Sequence, residues 1–142
     1  MKLISNDFKH NEKMDKRFSY RGENISPHLK WEEIPKETKS FALSCNDPDA
    51  PVGDWIHWLV YNIPSSVNEI SQGGPSQGIE LENDYGKKGY GGPAPPSGTH
   101  RYFFRVYALD LEKLEGLNKK NFMKEVKEHT IGSAEIIGLY SA

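Results

Sequence analysis

The sequence contains a single cysteine, no long run of apolar residues and no excess of charge of either sign. With only Cys45 present, the chain cannot form an intramolecular disulfide bond. Charged and polar residues interrupt the region from Met1 to Phe18, which therefore lacks the apolar core of a secretory signal. No other segment is apolar enough over sufficient length to span a membrane. We therefore expect a cytoplasmic protein with no transmembrane segment, in a reducing compartment.

Acidic and basic residues nearly balance. The chain has 18 Lys and Arg against 20 Asp and Glu, which gives a formal net charge of −2. Binding to a nucleic-acid backbone requires concentrated positive charge, so we expect no nucleic-acid partner. The chain has 142 residues and no long linker, and we expect residues 1–142 to fold as one domain.

Glycine and proline are plentiful, and apolar residues alternate with polar ones between them. This alternation predicts strands over residues 39–46, 56–62, 100–110 and 133–140, with a long, functional loop over residues 65–96. A helix is predicted from Asn118 to His129. Cys45 shares a strand face with Phe41 and Leu43, so it is expected to be buried and unreactive. The pattern favours a mainly β sandwich with a peripheral helix.

Two polar clusters each place a Pro/Gly-rich loop beside a strand that carries a histidine. The first runs Asp47-Pro48-Asp49-Ala50-Pro51 and leads to Trp55-Ile56-His57-Trp58; the second runs from Tyr90 to Tyr102. Alternation assigns His57 to the face of Leu59 and Tyr61, and it assigns Trp58 to core or interface packing on the other face. Each histidine lies at the loop end of its strand. We therefore predict that Asp47, His57, His100 and Tyr102 converge on one concave site.

The predicted site combines a carboxylate, two imidazoles and a phenol. Imidazole and phenol groups supply hydrogen-bond donors for an oxyanion. Asp47 would repel a dianion, so we expect it to hydrogen-bond a monoprotonated phosphate or the cationic or hydroxyl part of a headgroup. The competing interpretation is that each histidine satisfies only a strand-end hydrogen bond, and that Asp47 caps a turn. For Asp49 we adopt the turn-capping interpretation alone.

The two clusters, together with Gly22-Glu23-Asn24-Ile25-Ser26-Pro27, resemble in sequence and order the signatures of the phosphatidylethanolamine-binding protein family. The match is closer to its bacterial and archaeal branch, which is often described as Raf kinase inhibitor-like. The resemblance extends from Lys2 to Tyr140. It implies a Greek-key-type β-sandwich with one or two peripheral helices, and a small anion pocket at one end.

The resemblance also implies which residues form this pocket. By motif position the ligand-binding residues are Asp47, Trp55, His57, Ala94, Pro96, His100 and Tyr102. The implied partner is a small phosphorylated molecule or lipid headgroup, with a phosphoprotein, a kinase or a protease as regulatory targets. No cofactor, metal or catalytic residue is implied. Members of this branch often form dimers, so a homodimer is compatible with the resemblance.

Two enzymatic alternatives remain open on the residues. Asp47, His57 and His100 have the composition of a metal site with two histidines and one carboxylate. A serine hydrolase would use Ser97 or Ser44 with a histidine and Asp47, although neither serine lies in a nucleophile-elbow motif.

Asp47-Pro48 and Ala94-Pro95 are X-Pro bonds within the pocket loops. A cis X-Pro bond costs only about 0.5 to 1 kcal/mol and is typically retained for loop geometry. We expect at least one of these pocket bonds to be cis.

Overall fold

The computed structural model describes all residues from 1 to 142 and contains nine strands. They are β1 (Lys2–Ile4), β2 (Glu12–Lys13), β3 (Leu29–Glu32), β4 (Ser40–Asp47), β5 (Trp55–Pro64), β6 (Glu69–Ile70), β7 (Ile79–Glu80), β8 (Thr99–Leu109) and β9 (Thr130–Ser141). The helix α1 spans Phe122–His129, and a short helical turn spans Lys16–Phe18. The mainly β prediction is confirmed, with one peripheral helix.

The strands form two sheets. The larger has the order β2-β9-β8-β4-β5-β7, and the smaller has the order β1-β3-β6. Within the larger sheet β4, β5 and β7 are consecutive antiparallel neighbours, and β8 returns to pair with the free side of β4. The spatial order β8-β4-β5-β7 is that of a Greek key.

The main core lies between the two sheets. Its large, fully buried side chains come from both layers, and Trp31 of β3 packs edge-on against Phe41 of β4. On β8 the even-numbered residues Tyr102, Phe104 and Val106 face this core, as alternation predicts. Cys45 is also part of the core and is 1% exposed, so the prediction that it is buried is confirmed.

A second, smaller core lies on the opposite face of the large sheet, under α1. Phe122 and Val126 of α1 are fully buried there, against Leu59, Tyr61 and Tyr107. This helix is neither long nor apolar enough to cross a membrane.

The predicted element boundaries differ from the structure where tertiary contacts set them. The helix begins at Phe122 rather than at about Asn118. The Asn118 side chain caps the turn that precedes α1, where it accepts the backbone N–H groups of Lys120 and Asn121. The segment predicted as a loop over residues 65–96 contains the two short strands β6 and β7. β9 starts three residues earlier than predicted, at Thr130, directly after the helix.

Candidate functional site

A cavity of about 300 Å³ opens at the end of the sandwich where β4 ends and where β5 and β8 begin. Twelve residues line it: Asp47, Ala50, Pro51, Val52, Trp55, His57, Tyr85, Ala94, Pro95, Pro96, His100 and Tyr102. All seven residues predicted for the pocket are among them. Sequence reasoning did not assign Ala50, Pro51, Val52, Tyr85 or Pro95 to the site.

Asp47, the last residue of β4, meets His100 near the start of β8. The His100 Nδ1–H group donates to Asp47 Oδ2 over 2.6 Å, and both residues are buried. The other carboxylate oxygen of Asp47 accepts the backbone N–H of Asp49 at 2.8 Å. Asp47 therefore both closes its turn and orients an imidazole. This arrangement leaves Nε2 as the ring nitrogen of His100 that is available to a ligand.

Asp49 plays a larger part than the turn-capping role assigned to it from sequence. Its carboxylate accepts three hydrogen bonds from Arg101, one from the backbone N–H and two from the guanidinium group, each at 2.9 Å. These bonds lower the pKa of Asp49 to about 2. The ion pair joins the turn after β4 to the beginning of β8 and so holds together the two segments that carry Asp47 and His100.

A β-bulge places His57 on the cavity side of β5. Cys45 of β4 pairs with Trp58 and the next residue, Asn46, pairs with Ile56, so His57 is the extra residue. Its ring contacts Tyr102 edge-to-face, with the two centroids 5.1 Å apart. The assignment of His57 to the face of Leu59 and Tyr61 is therefore wrong, because strict alternation does not hold through a bulge. Trp58 is buried in the main core, as expected.

The fold holds His57 as a neutral imidazole. It is 2% exposed, and its Nδ1 lies 2.6 Å from the carbonyl oxygen of Gly91. Because a carbonyl only accepts, Nδ1 carries the proton and Nε2 carries the free lone pair. Burial lowers the pKa of His57, although the Gly91 hydrogen bond and the negative charge of Asp47 oppose this effect. His57 therefore offers an acceptor to the cavity near neutral pH.

Two tyrosines complete the inner wall. The Tyr102 hydroxyl is buried and has no hydrogen-bond partner among the atoms of the protein. Burial and the nearby carboxylate of Asp47 raise the pKa of Tyr102, so the hydroxyl stays protonated and can donate. The Tyr85 hydroxyl donates to the carbonyl of Gly92 at 2.7 Å, and the ring stacks on Tyr20 and meets Trp55 edge-on. The only sequence signal for Tyr85 was an aromatic residue within a Gly-rich loop.

The segment between β2 and β3, residues 14–28 (the N-terminal loop), supports residues 90–96 (the floor loop), which form the floor of the cavity. The Asn24 side chain accepts the backbone N–H of Gly92 at 2.7 Å, and the Tyr90 hydroxyl donates to the carbonyl of Phe18 at 2.8 Å. A Cβ atom on Gly92 would lie 2.0 Å from that same carbonyl oxygen, so only glycine fits. The Gly22–Pro27 motif thus contributes to the site by holding the floor loop, without lining the cavity.

The mouth of the cavity is apolar. The apolar lining residues Ala50, Pro51, Val52 and Pro96 are half-buried or exposed, whereas Pro95 is buried. Val52 is 78% exposed, the most exposed large apolar side chain of the protein. A ligand would thus meet apolar surface at the entrance and polar groups at the inner end.

The geometry does not assemble either enzymatic alternative. No group of three or more His, Cys, Asp and Glu side chains is arranged to hold a metal ion. Ser44 lies on the opposite face of the sheet, where its hydroxyl is 3.1 Å from the hydroxyl of Tyr107. Ser97 is exposed and does not line the cavity.

The prediction of a cis X-Pro bond in the pocket loops is wrong. The one cis peptide bond joins Gly74 to Pro75, and both pocket bonds are trans. After β4 the chain turns through the hydrogen bond from the Asp49 N–H to the Asp47 carboxylate, which a trans bond accommodates.

Comparison with known proteins places the chain among homologues along its whole length. The family model described as phosphatidylethanolamine-binding protein matches residues 4–141. A UPF0098 protein of Methanothermobacter thermautotrophicus is 43% identical over 148 residues, which cover 99% of this chain and 98% of the relative. The UPF0098 protein YbhB of Escherichia coli is 42% identical over 158 residues, which cover 99% of this chain and all of the relative.

Solved structures agree with the sequence matches. The crystal structure of Escherichia coli YbcL, described as a new member of the mammalian PEBP family, has a TM-score of 0.94 at 32% identity, covering 99% of this chain and 98% of that one. The structure of a phosphatidylethanolamine-binding protein homolog of Chlamydia trachomatis has a TM-score of 0.91 at 36% identity, and the match covers 99% of this chain and 97% of that one. The chain belongs to the phosphatidylethanolamine-binding protein family, in its bacterial and archaeal branch.

Proposed function

We propose that the protein is a non-catalytic binding protein that holds a monoprotonated phosphate group of a small molecule or headgroup in the cavity. The observation that carries this proposal is the buried hydroxyl of Tyr102, which lacks a partner within the protein and lies beside His57 and His100. Leaving a buried hydroxyl unpaired costs about 1 to 3 kcal/mol, which a bound acceptor would remove.

The inner end of the cavity matches the hydrogen-bonding pattern of a phosphate monoanion. Tyr102 can donate to one phosphate oxygen, and Nε2 of His100, which the bond to Asp47 leaves free, can form a hydrogen bond with another. Neutral His57 can accept the remaining P–OH proton at Nε2. A dianion has no such proton, and the carboxylate of Asp47 repels it. The site therefore favours the monoprotonated form.

Calorimetric titration of inorganic phosphate and phosphoethanolamine tests this proposal. We expect His100→Ala to weaken binding by about ten- to a hundredfold, since a charge-assisted hydrogen bond contributes about 1.5 to 3 kcal/mol. The matched control is His10→Ala, because His10 is exposed and lies outside the cavity. Equal affinities in wild type and His100→Ala would overturn the proposal.

The pH dependence gives a second readout. A phosphomonoester loses its second proton at about pH 6. We expect the affinity for phosphoethanolamine to fall as the pH rises above that value, because the dianion cannot donate to His57. An affinity that rises with pH would contradict the assigned role of His57.

A regulatory role follows if the phosphate belongs to a protein. The resemblance to the family implies a phosphoprotein, a kinase or a protease as a target. The apolar mouth of the cavity would then contact residues that flank the phosphorylated side chain. A phosphoserine peptide that binds more tightly than free phosphoserine, in a manner sensitive to His100→Ala, would support this extension. Equal binding of the two would restrict the function to small ligands.

A further inference from the structure

A groove of about 230 Å³ lies next to the cavity. Its lining residues come from the N-terminal loop, the floor loop and the end of β9: Lys16, Ser19, Arg21, Pro93, Ala94, Pro95, Tyr140, Ser141 and Ala142. The two cationic side chains in this set are Lys16 and Arg21, and no Asp or Glu side chain lines the groove. The groove therefore presents two cationic side chains and no acidic side chain.

Arg21 differs from the other arginines of the chain. Arg17, Arg101 and Arg105 each have a carboxylate within 4 Å, whereas the guanidinium of Arg21 forms no ion pair and no hydrogen bond. Lys16 likewise has no carboxylate partner. Both side chains are exposed and so are accessible to an anion from solvent. Unpaired guanidinium is well suited to bidentate binding of a carboxylate or a phosphate.

The groove and the cavity share a wall. Ala94 and Pro95 line both recesses, so a single stretch of backbone separates them. Arg21 is also electrostatically close to the cavity: burial raises the pKa of Tyr85, and the charge of Arg21 opposes that rise. Tyr20, which precedes Arg21, stacks on the Tyr85 ring with centroids 4.0 Å apart. Arg21 thus lies in the groove, which the wall formed by Ala94 and Pro95 separates from the proposed phosphate site.

We propose that Arg21 and Lys16 form a second anion subsite, and that the preferred ligand carries a carboxylate or second phosphate in addition to the phosphate held in the cavity. This inference rests on the proposed function, since it assumes that the cavity holds the first phosphate. The linking atoms of the ligand cross the wall formed by Ala94 and Pro95. A ligand with a cationic substituent, such as phosphoethanolamine, gains nothing from this subsite and meets like charge there.

The test compares ligands that differ in the charge of the substituent. Phosphoethanolamine and phosphoglycolate carry an ammonium and a carboxylate at similar distances from the phosphate, and the phosphate ester of γ-hydroxybutyrate extends the carboxylate further. Inorganic phosphate cannot span both recesses, so its affinity is the reference for a ligand without a second anionic group. We expect a carboxylate ligand to bind about three- to tenfold more tightly than phosphoethanolamine, because each exposed charge pair contributes about 0.2 to 1 kcal/mol. The preference should decrease as ionic strength rises.

Two variants test whether Arg21 causes the preference for carboxylate ligands. Arg21→Gln should abolish most of the preference for the carboxylate ligands and leave the affinity for inorganic phosphate within about twofold. Arg17→Gln is the matched control, because it removes the same charge from a neighbouring arginine that is paired with Asp15 and lies outside the groove. Retention of the preference in Arg21→Gln, or its equal loss in Arg17→Gln, would overturn the inference. Failure of inorganic phosphate to bind at all would instead overturn the proposed function.

Discussion

His100 Nδ1 lies 2.6 Å from Asp47 Oδ2, although 53 residues separate the two in the chain. β4 and β8 pair antiparallel along Ser40 to Asn46. The C-terminal end of β4 therefore lies next to the N-terminal start of β8, at one end of the sheet. The contact therefore depends on the register of the central strands. The Asp49–Arg101 ion pair lies at the same end of the sheet and joins the turn after β4 to the start of β8.

Replacement of Asp47 by alanine should destabilise the protein by about 1 to 3 kcal/mol, because the His100 ring and the Asp49 N–H would lose their acceptors in a buried site. Asp47→Asn should reduce the stability less, since the amide oxygen of Asn can still accept a hydrogen bond from one of these two groups. Urea unfolding measures both. The control is Asp54→Ala, which removes an exposed side-chain hydrogen bond to Asn46 and should change stability by less than about 0.5 kcal/mol. An equal loss for Asp47→Ala and Asp54→Ala would contradict the structural role of Asp47.

The stability of the protein should depend on pH through His57. Burial lowers its pKa in the folded state below the ordinary value of 6.5. Between the folded and unfolded pKa values the unfolded chain binds more protons, so the free energy of unfolding rises with pH there and falls as pH drops below about 6.5. His57→Gln should remove this contribution. Urea unfolding of both proteins between about pH 7 and about pH 5 gives the difference; identical pH profiles would show that His57 titrates normally.

Alternation along β4 and β8 was enough to predict the core-facing residues, because these central strands pair without interruption over most of their length. His100 and Tyr102 could therefore be placed correctly on one face. His57 could not, since the bulge that turns it toward Tyr102 is a property of the pairing between β4 and β5. The sequence of β5 alone does not determine how β5 pairs with β4.

The other unpredicted features are long-range contacts of loop residues. Asp49 binds Arg101 and Asn24 binds the backbone of Gly92, and each pair is separated by more than 50 residues. Tyr85 reaches the cavity because its loop folds back on Tyr20. Local propensity predicts that such segments are turns or loops, but not which distant group each polar side chain meets.

Substitution at Gly92 should affect both stability and binding. A Cβ atom there would lie 2.0 Å from the Phe18 carbonyl oxygen, so the floor loop must shift, at a cost of about 1 to 3 kcal/mol or more. Gly98→Ala is the matched control: Gly98 has φ +66° and no atom lies within 4 Å of the position that a Cβ atom would take, so only backbone strain of about 1 kcal/mol is expected. Phosphate titration should show weaker binding for Gly92→Ala alone. Unchanged binding in a folded Gly92→Ala protein would mean that the floor loop is not part of the site.

Tyr102→Phe should separate binding from stability. Because the Tyr102 hydroxyl is buried without a partner, its removal should leave the free energy of unfolding unchanged or raise it by up to about 1 kcal/mol. If the hydroxyl donates to a bound phosphate, the same change should weaken phosphate binding by about tenfold or more.

Tyr61→Phe is the matched control for this variant, since Tyr61 is also buried but faces the second core under α1. Chemical unfolding and calorimetric titration of both variants give the two quantities independently. A stable Tyr102→Phe protein with weakened binding would assign the hydroxyl to the ligand. A destabilised protein that binds phosphate as well as the wild type does would show instead that the hydroxyl serves the fold, and that the anion is held by the imidazoles alone.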